Sequence, residues 1–255
     1  MDDRLAAASV VVSFAEAVRP VAGVVGFYAG GSLAFGDFQP GVSDLDLVAV
    51  VDGRLGFGAR RRLVALHESF IAADPAAAKL HCAYVPRTEV AGLDREHLTW
   101  AHGELYRRVV SGIARAELLQ NGITVYGPPP AELLPPVDAA ALRDAARAEL
   151  SGYWTMAVGK PKLWTQDVYV DLGLITLARV EATVGEDRLI TKREAIGRLD
   201  RFGVPADLAD QIARRRRGEA VALTEAERQE RAEVARRLVS AGIGRLLADE
   251  SAGRA

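Results

Sequence analysis

Five prolines fall within eleven residues, GPPPAELLPPV at 127–137, and regular structure does not run intact through such a stretch, because proline lacks an N–H donor and fixes φ. The chain therefore reads as two parts, a domain at 1–126 and a domain at 138–255, with 127–137 as a Pro-rich linker. Its 255 residues are 49% hydrophobic, enough to fill a core in each part. Strand-like runs alternate with helical ones before the linker. After it, from Asp138 to about Leu247, helical periodicity is broken only by short Gly or Pro signals. The expected class is α+β: a small mixed sheet flanked by helices, followed by an all-helical bundle of roughly five helices.

The first part can be read element by element. DRLAAASVVVSFAEAVRP predicts a helix that stops at Pro20, and GVVGFYAG, residues 23–30, predicts a strand. Gly31 and Ser32 then allow a tight turn, with Ser32 suited to cap a short helix. QPGVS turns the chain into DLDLVAVV, a second strand antiparallel to the first. GARRRLVALHESFIAAD carries Leu63, Leu66 and Phe70 at helical spacing, and KLHCAYV reads as a third strand. HGELYRRVVSGIARAELLQNG reads as a helix that stops at Asn121 and Gly122.

Within DLDLVAVV the apolar alternation is broken by two aspartates. Side chains in a strand alternate between faces, so Asp44, Asp46 and Val48 share one face, and Leu45, Leu47 and Ala49 the other. Like charges held side by side persist cheaply only where a cation stands between them. Mg²⁺ takes one or two carboxylates, waters and substrate phosphate oxygens, so a phosphate should arrive nearby. Backbone N–H groups at the Gly31-Ser32 turn, with the Ser hydroxyl, can cradle that phosphate. The pair and the turn together suit a metal-bound nucleoside triphosphate.

Gly31-Ser32, eleven intervening residues and then Asp44-Leu45-Asp46 resemble the signature of the DNA polymerase β nucleotidyltransferase superfamily, and most of all its aminoglycoside (streptomycin/spectinomycin) adenylyltransferases. ITLARVEATV at 175–184 and LITKREAI at 189–196 are similar to that subgroup's helical C-terminal domain. The resemblance implies an N-terminal nucleotidyltransferase domain, Mg²⁺ on Asp44 and Asp46, ATP phosphates on Gly31 and Ser32, and AMP transfer to a drug hydroxyl. Lys192 would be a further phosphate contact. Trp100, Glu104 and Glu194 are candidates for the acceptor, an aromatic to stack on it and two acids to meet a cationic small molecule.

This chain departs from the family's pattern at two points. The third-strand glutamate that takes the acceptor's proton is missing, and His81 stands nearest to it; a neutral imidazole can do the same work near pH 7. In ITKREAIGR the family's pair of acids one helical turn apart becomes Arg193 and Gly197, or Glu194 and Arg198, which argues against streptomycin itself. Two alternatives follow: a nucleotide-binding or regulatory protein that has lost catalysis, and AMP transfer to a protein hydroxyl.

The remaining features bound the setting. Basic and acidic residues number 32 and 34, a net charge of −2, so no global field argues for nucleic acid or an anionic membrane. The run Arg214–Arg217 before Gly218 reads as a solvated helix end. Cys82 is the single cysteine; it reads as core and excludes an internal disulfide. The apolar stretch Ala6–Ala15 is too short for a membrane span, and a cytoplasmic monomer is the expectation.

Overall fold

The computed structural model describes residues 3–6, 9–92 and 95–252. The chain divides into two compact units, Met1–Val137 and Asp138–Ala255.

The first unit opens with α1 (Asp3–Ala6), α2 (Ser9–Ala22), β1 (Val24–Ala29) and α3 (Gly31–Ala34). β2 (Leu45–Val51), α4 (Phe57–Ala73) and β3 (Leu80–Pro86) follow, then the hairpin of β4 (Glu96–Ala101) and β5 (Glu104–Val109). α5 (Gly112–Asn121), β6 (Ile123–Tyr126) and α6 (Pro130–Leu133) complete it. The six strands form one mixed sheet in the order β5-β4-β3-β2-β1-β6. β1 and β2 are antiparallel, and β2 and β3 are parallel because α4 crosses between them.

β2 is a central strand covered on both faces. Leu45, Leu47, Ala49 and Val51 join Phe14 and Val18 of α2, Leu63 of α4 and Cys82 of β3 in one core. Val48 and Val50 join Tyr28, Val85 and Leu118 in another on the opposite face. The alternation read from the sequence is thus the division of β2 between two cores. Asp46 is the one position of the strand left exposed.

Three expectations are corrected. Pro20 lies inside α2, which runs on to Ala22; near a helix end its missing N–H forfeits one bond without breaking the last turn. Asp44 precedes β2, which starts at Leu45. Residues 102–122 are not one helix. The chain turns at His102 and Gly103, whose φ values of 55° and 82° suit a two-residue hairpin turn, and forms β5 before α5 begins.

The second unit is helical: α7 (Ala139–Glu149), α8 (Thr155–Val158), α9 (Asp167–Glu186), α10 (Lys192–Ile196), α11 (Ala206–Arg216) and α12 (Glu225–Ala252). A π-helical turn, Leu150–Trp154, carries α7 into α8. α9 is the centre of this core, with Val170, Leu174, Leu177 and Ala178 fully buried. Glycine permits two close approaches: a Cβ on Gly173 would stand 2.8 Å from the Trp164 ring, and one on Gly242 would stand 2.6 Å from a Leu177 methyl.

Candidate active site

The end of β1 is tied to the start of β2 by a 2.8 Å hydrogen bond from the Gly30 N–H to the Asp46 carbonyl. This brings the turn after β1 against the Asp46 side chain. Gly31 has φ +54°, and a Cβ there would overlap the Asp46 Oδ2. Position 31 thus requires glycine twice, for its left-handed backbone and for the space the carboxylate occupies. Gly30, not Ser32, takes the cap position of α3, and it makes no side-chain cap bond. Ser32 lies in the first turn, where backbone N–H groups have no intrahelical acceptor.

β2 and β3 pair in parallel with Asp46 opposite His81. The His81 side chain is 12% exposed, and its Nδ1 lies 4.0 Å from Asp44 Oδ2. Burial holds the imidazole below its ordinary pKa; the Asp44 and Asp46 carboxylates pull it back up, while His102 and Arg108 push with burial. His81 is therefore neutral near pH 7, with two carboxylates at hand to stabilise the imidazolium once a proton arrives. Asp44 is 43% exposed, with Lys79 Nζ at 3.4 Å from its Oδ1.

These residues meet the demands of Mg²⁺ carried in by a nucleotide. Two hard carboxylates, Asp44 and Asp46, sit beside a turn with backbone donors, and such a cation completes its shell with water and phosphate oxygens. Among the described residues no group of three or more His, Cys, Asp or Glu side chains could hold a metal ion.

The structure adds His102, which the helical reading of 102–122 concealed. Its ring meets His81 edge-on, with centroids 4.6 Å apart. The signal was the dipeptide His102-Gly103 between two strand-like runs, a two-residue turn pattern. Glu104 stands in the same neighbourhood. Cys82 pairs with Trp100 and Ala101 with Glu104, so Asp46, His81, Ala101 and Glu104 fall in one row across the sheet.

Of three other candidates, Trp100 is in the first unit and Glu194 and Lys192 are in the second. Trp100 is 1% exposed and stacks on His67 at 4.4 Å; it is core and offers no face to an acceptor. Glu194 closes the capping box of α10 with Thr191 and meets Arg188 at 3.1 Å, so its carboxylate serves the helix start instead of a cationic ligand. Lys192 is the first residue of α10, in the second unit. Of the arginine run, Arg214 and Arg217 meet Glu219 as a solvated end would, but Arg215 turns inward to Asp171. Cys82 is fully buried, which pushes its thiol pKa up to about 12.

No protein-family profile and no curated protein matches the sequence. A solved structure does match: spectinomycin adenyltransferase AAD(9) from Enterococcus faecialis with ATP and spectinomycin, at a TM-score of 0.67. The match covers 93% of this chain and 98% of that one at 16% sequence identity. The fold is a nucleotidyltransferase fold. No helix among the described residues is long and apolar enough to cross a membrane.

Proposed function

We propose that this protein is a Mg²⁺-dependent nucleotidyltransferase that moves AMP from ATP to a hydroxyl of an aminoglycoside-like small molecule. The observation that carries this reading is the seating of the Asp46 carboxylate against Gly31, where a Cβ would overlap it. That contact supports reading Asp46 and the Gly31-Ser32 turn as parts of one site. Asp44 and Asp46 hold the cation, and Gly31 and Ser32 receive the triphosphate.

Mg²⁺, when bound, neutralises charge on the α-phosphoryl group and the departing pyrophosphate. The acceptor oxygen forms its bond to the α-phosphorus as the bond to pyrophosphate breaks, and the hydroxyl proton passes to His81. His81 can take it because burial keeps the ring neutral, and the two nearby carboxylates then hold the imidazolium. Glu104, in the row of Asp46 and His81, meets a cationic group of the acceptor in this reading.

The test is incubation with each of the four ribonucleoside triphosphates and Mg²⁺ against a panel of aminoglycosides and aminocyclitols, reading pyrophosphate. Release that needs both ATP and an acceptor supports the proposal; no release with any pair defeats it. His81 in place of the glutamate favours one second reading, a nucleotide-binding protein without catalysis, which predicts saturable Mg²⁺-ATP binding and no pyrophosphate.

A further inference from the structure

A cavity of about 320 Å³ opens in the first unit at the other end of the same strands. Arg54 and Leu55 follow β2, Pro86 ends β3, Leu98 lies near the start of β4, and Arg107 stands opposite Leu98 on β5. Val51 pairs with Pro86 as Asp46 pairs with His81, so the cavity lies about five residues, or roughly 17 Å, along the strands from the acidic pair.

Its lining is cationic. Arg54, Arg60, Arg95 and Arg107 contribute four guanidiniums against the two carboxylates of Glu89 and Glu96. Glu89 is 9% exposed and takes Arg54 at 2.6 Å and Arg95 at 3.9 Å. Glu96 takes Arg107 at 3.7 Å. Arg60, on the first turn of α4, donates its Nε to the Leu55 carbonyl at 3.0 Å and faces none of these acids within ion-pair distance. The lining thus keeps a surplus of positive charge around an apolar wall of Leu55, Pro86 and Leu98. His97, also in the lining, is 1% exposed; its Nδ1 lies 4.0 Å from Glu89 Oε2, and neither ring nitrogen makes a hydrogen bond. Buried polar atoms without partners call for a ligand or water.

We propose that this cavity is a second binding site, for a small molecule carrying a phosphate group. The guanidiniums supply the planar, multiple donors that phosphate oxygens take. The volume lies at the low end of small-molecule pockets and leaves room beside a phosphate for an organic moiety on the apolar wall. The site stands apart from the proposed chemistry and needs no metal.

Calorimetric titration of the full-length protein in metal-free buffer at low ionic strength tests it, with inorganic phosphate, pyrophosphate and AMP as probes. Saturable binding of any of the three is expected, unchanged in Asp46→Asn and weakened about tenfold or more in the double variant Arg60→Gln/Arg107→Gln. Binding of the inorganic anions assigns the affinity to the phosphate alone; binding of AMP only assigns part of it to the apolar wall. On the unaltered protein, the bound anion should shield Arg60 and Arg107 from phenylglyoxal, read by peptide mass spectrometry. No binding of any probe up to about 10 mM, binding indifferent to the double variant, binding lost in Asp46→Asn, or absent shielding would overturn the proposal.

Discussion

Asp46 and Asp171 each stand near the start of an apolar run, one in β2 and one in α9, yet their surroundings differ. Asp171 is 17% exposed and receives two hydrogen bonds from Arg215, at 2.6 and 2.8 Å. Other acids of the second unit are tied in the same manner: Glu186 by Arg198 at 2.6 and 3.1 Å, and Glu194 by Thr191 and Arg188. Asp46 is the exposed position of β2, and Asp44 has Lys79 at 3.4 Å and the His81 ring at 4.0 Å. Acids fixed by arginines hold helices in place. The two at the head of β2 sit beside a glycine turn and a histidine strand, Asp46 against Gly31 and Asp44 near His81, and the proposed function gives them chemistry to do.

The largest expected effect tests that division directly. Asp46→Asn keeps the side chain's shape beside Gly31 and removes its charge. If the carboxylate serves chemistry, transferase activity should fall about a thousandfold or more, equivalent to roughly 4 kcal/mol of lost transition-state stabilisation. The urea unfolding midpoint should hardly move, since surface substitutions change stability by about 0.5 kcal/mol or less. A variant that kept its activity, or lost its fold, would break the comparison.

Two histidines of the first unit, His67 and His81, sharpen it through pH. His67 lies in the core, its Nε2 2.8 Å from the Tyr84 hydroxyl, and burial pulls its pKa from 6.5 to about 3. His81 is also lowered by burial, but Asp44 and Asp46 oppose that shift. Between about pH 3 and 6.5 the unfolded chain binds the His67 proton and the folded chain does not. The His67 contribution is therefore complete above 6.5 and is lost as pH falls toward 3, by about 5 kcal/mol over the window. Urea titrations from pH 7 to 4 should show that slope, and His67→Phe should flatten it. His81→Gln should leave it nearly intact and change the pH dependence of activity instead.

In the second unit the expected effect is on stability alone. Asp171→Ala strands the Arg215 guanidinium, 12% exposed, without its counter-charge, and should lower unfolding free energy by about 3 kcal/mol. Arg215→Leu added to it should recover part of that loss, because the stranded charge is gone. Chemical denaturation of the single and double variants measures both.

The sequence made the site's acids legible because they violate a pattern. Charges inside an apolar alternation are costly unless used, and the Gly31-Ser32 turn at a fixed spacing supported the same reading. The hairpin of β4 and β5 was not legible. Arg107 and Arg108 suit a helix as well as an edge strand, and only the His102-Gly103 turn decides between them. Trp100 could not be placed from its type, because what buries it is His67, 33 positions earlier in the chain. Glu194 carries a second use that its charge alone does not show. Thr191-Lys192-Arg193-Glu194 is a capping box in plain sequence, and its local use outranked the ligand role that its charge suggested.

That capping box gives the smallest test of the comparison. The Thr191 side chain accepts the Glu194 N–H at 3.0 Å, and the Glu194 carboxylate accepts the Thr191 N–H at 2.9 Å. The short helix Lys192–Ile196 depends on this reciprocal pair, since five residues cannot sustain a helix by propensity. Thr191→Ala should lower stability by about 1 kcal/mol, measured by urea denaturation, and Glu194→Gln, which keeps the acceptor oxygen, should lower it by less. If Glu194 instead met the cationic acceptor, Glu194→Gln would raise the acceptor's KM while leaving the unfolding midpoint in place. That result would move this acid from the structural set of the second unit to the set that Asp44 and Asp46 occupy.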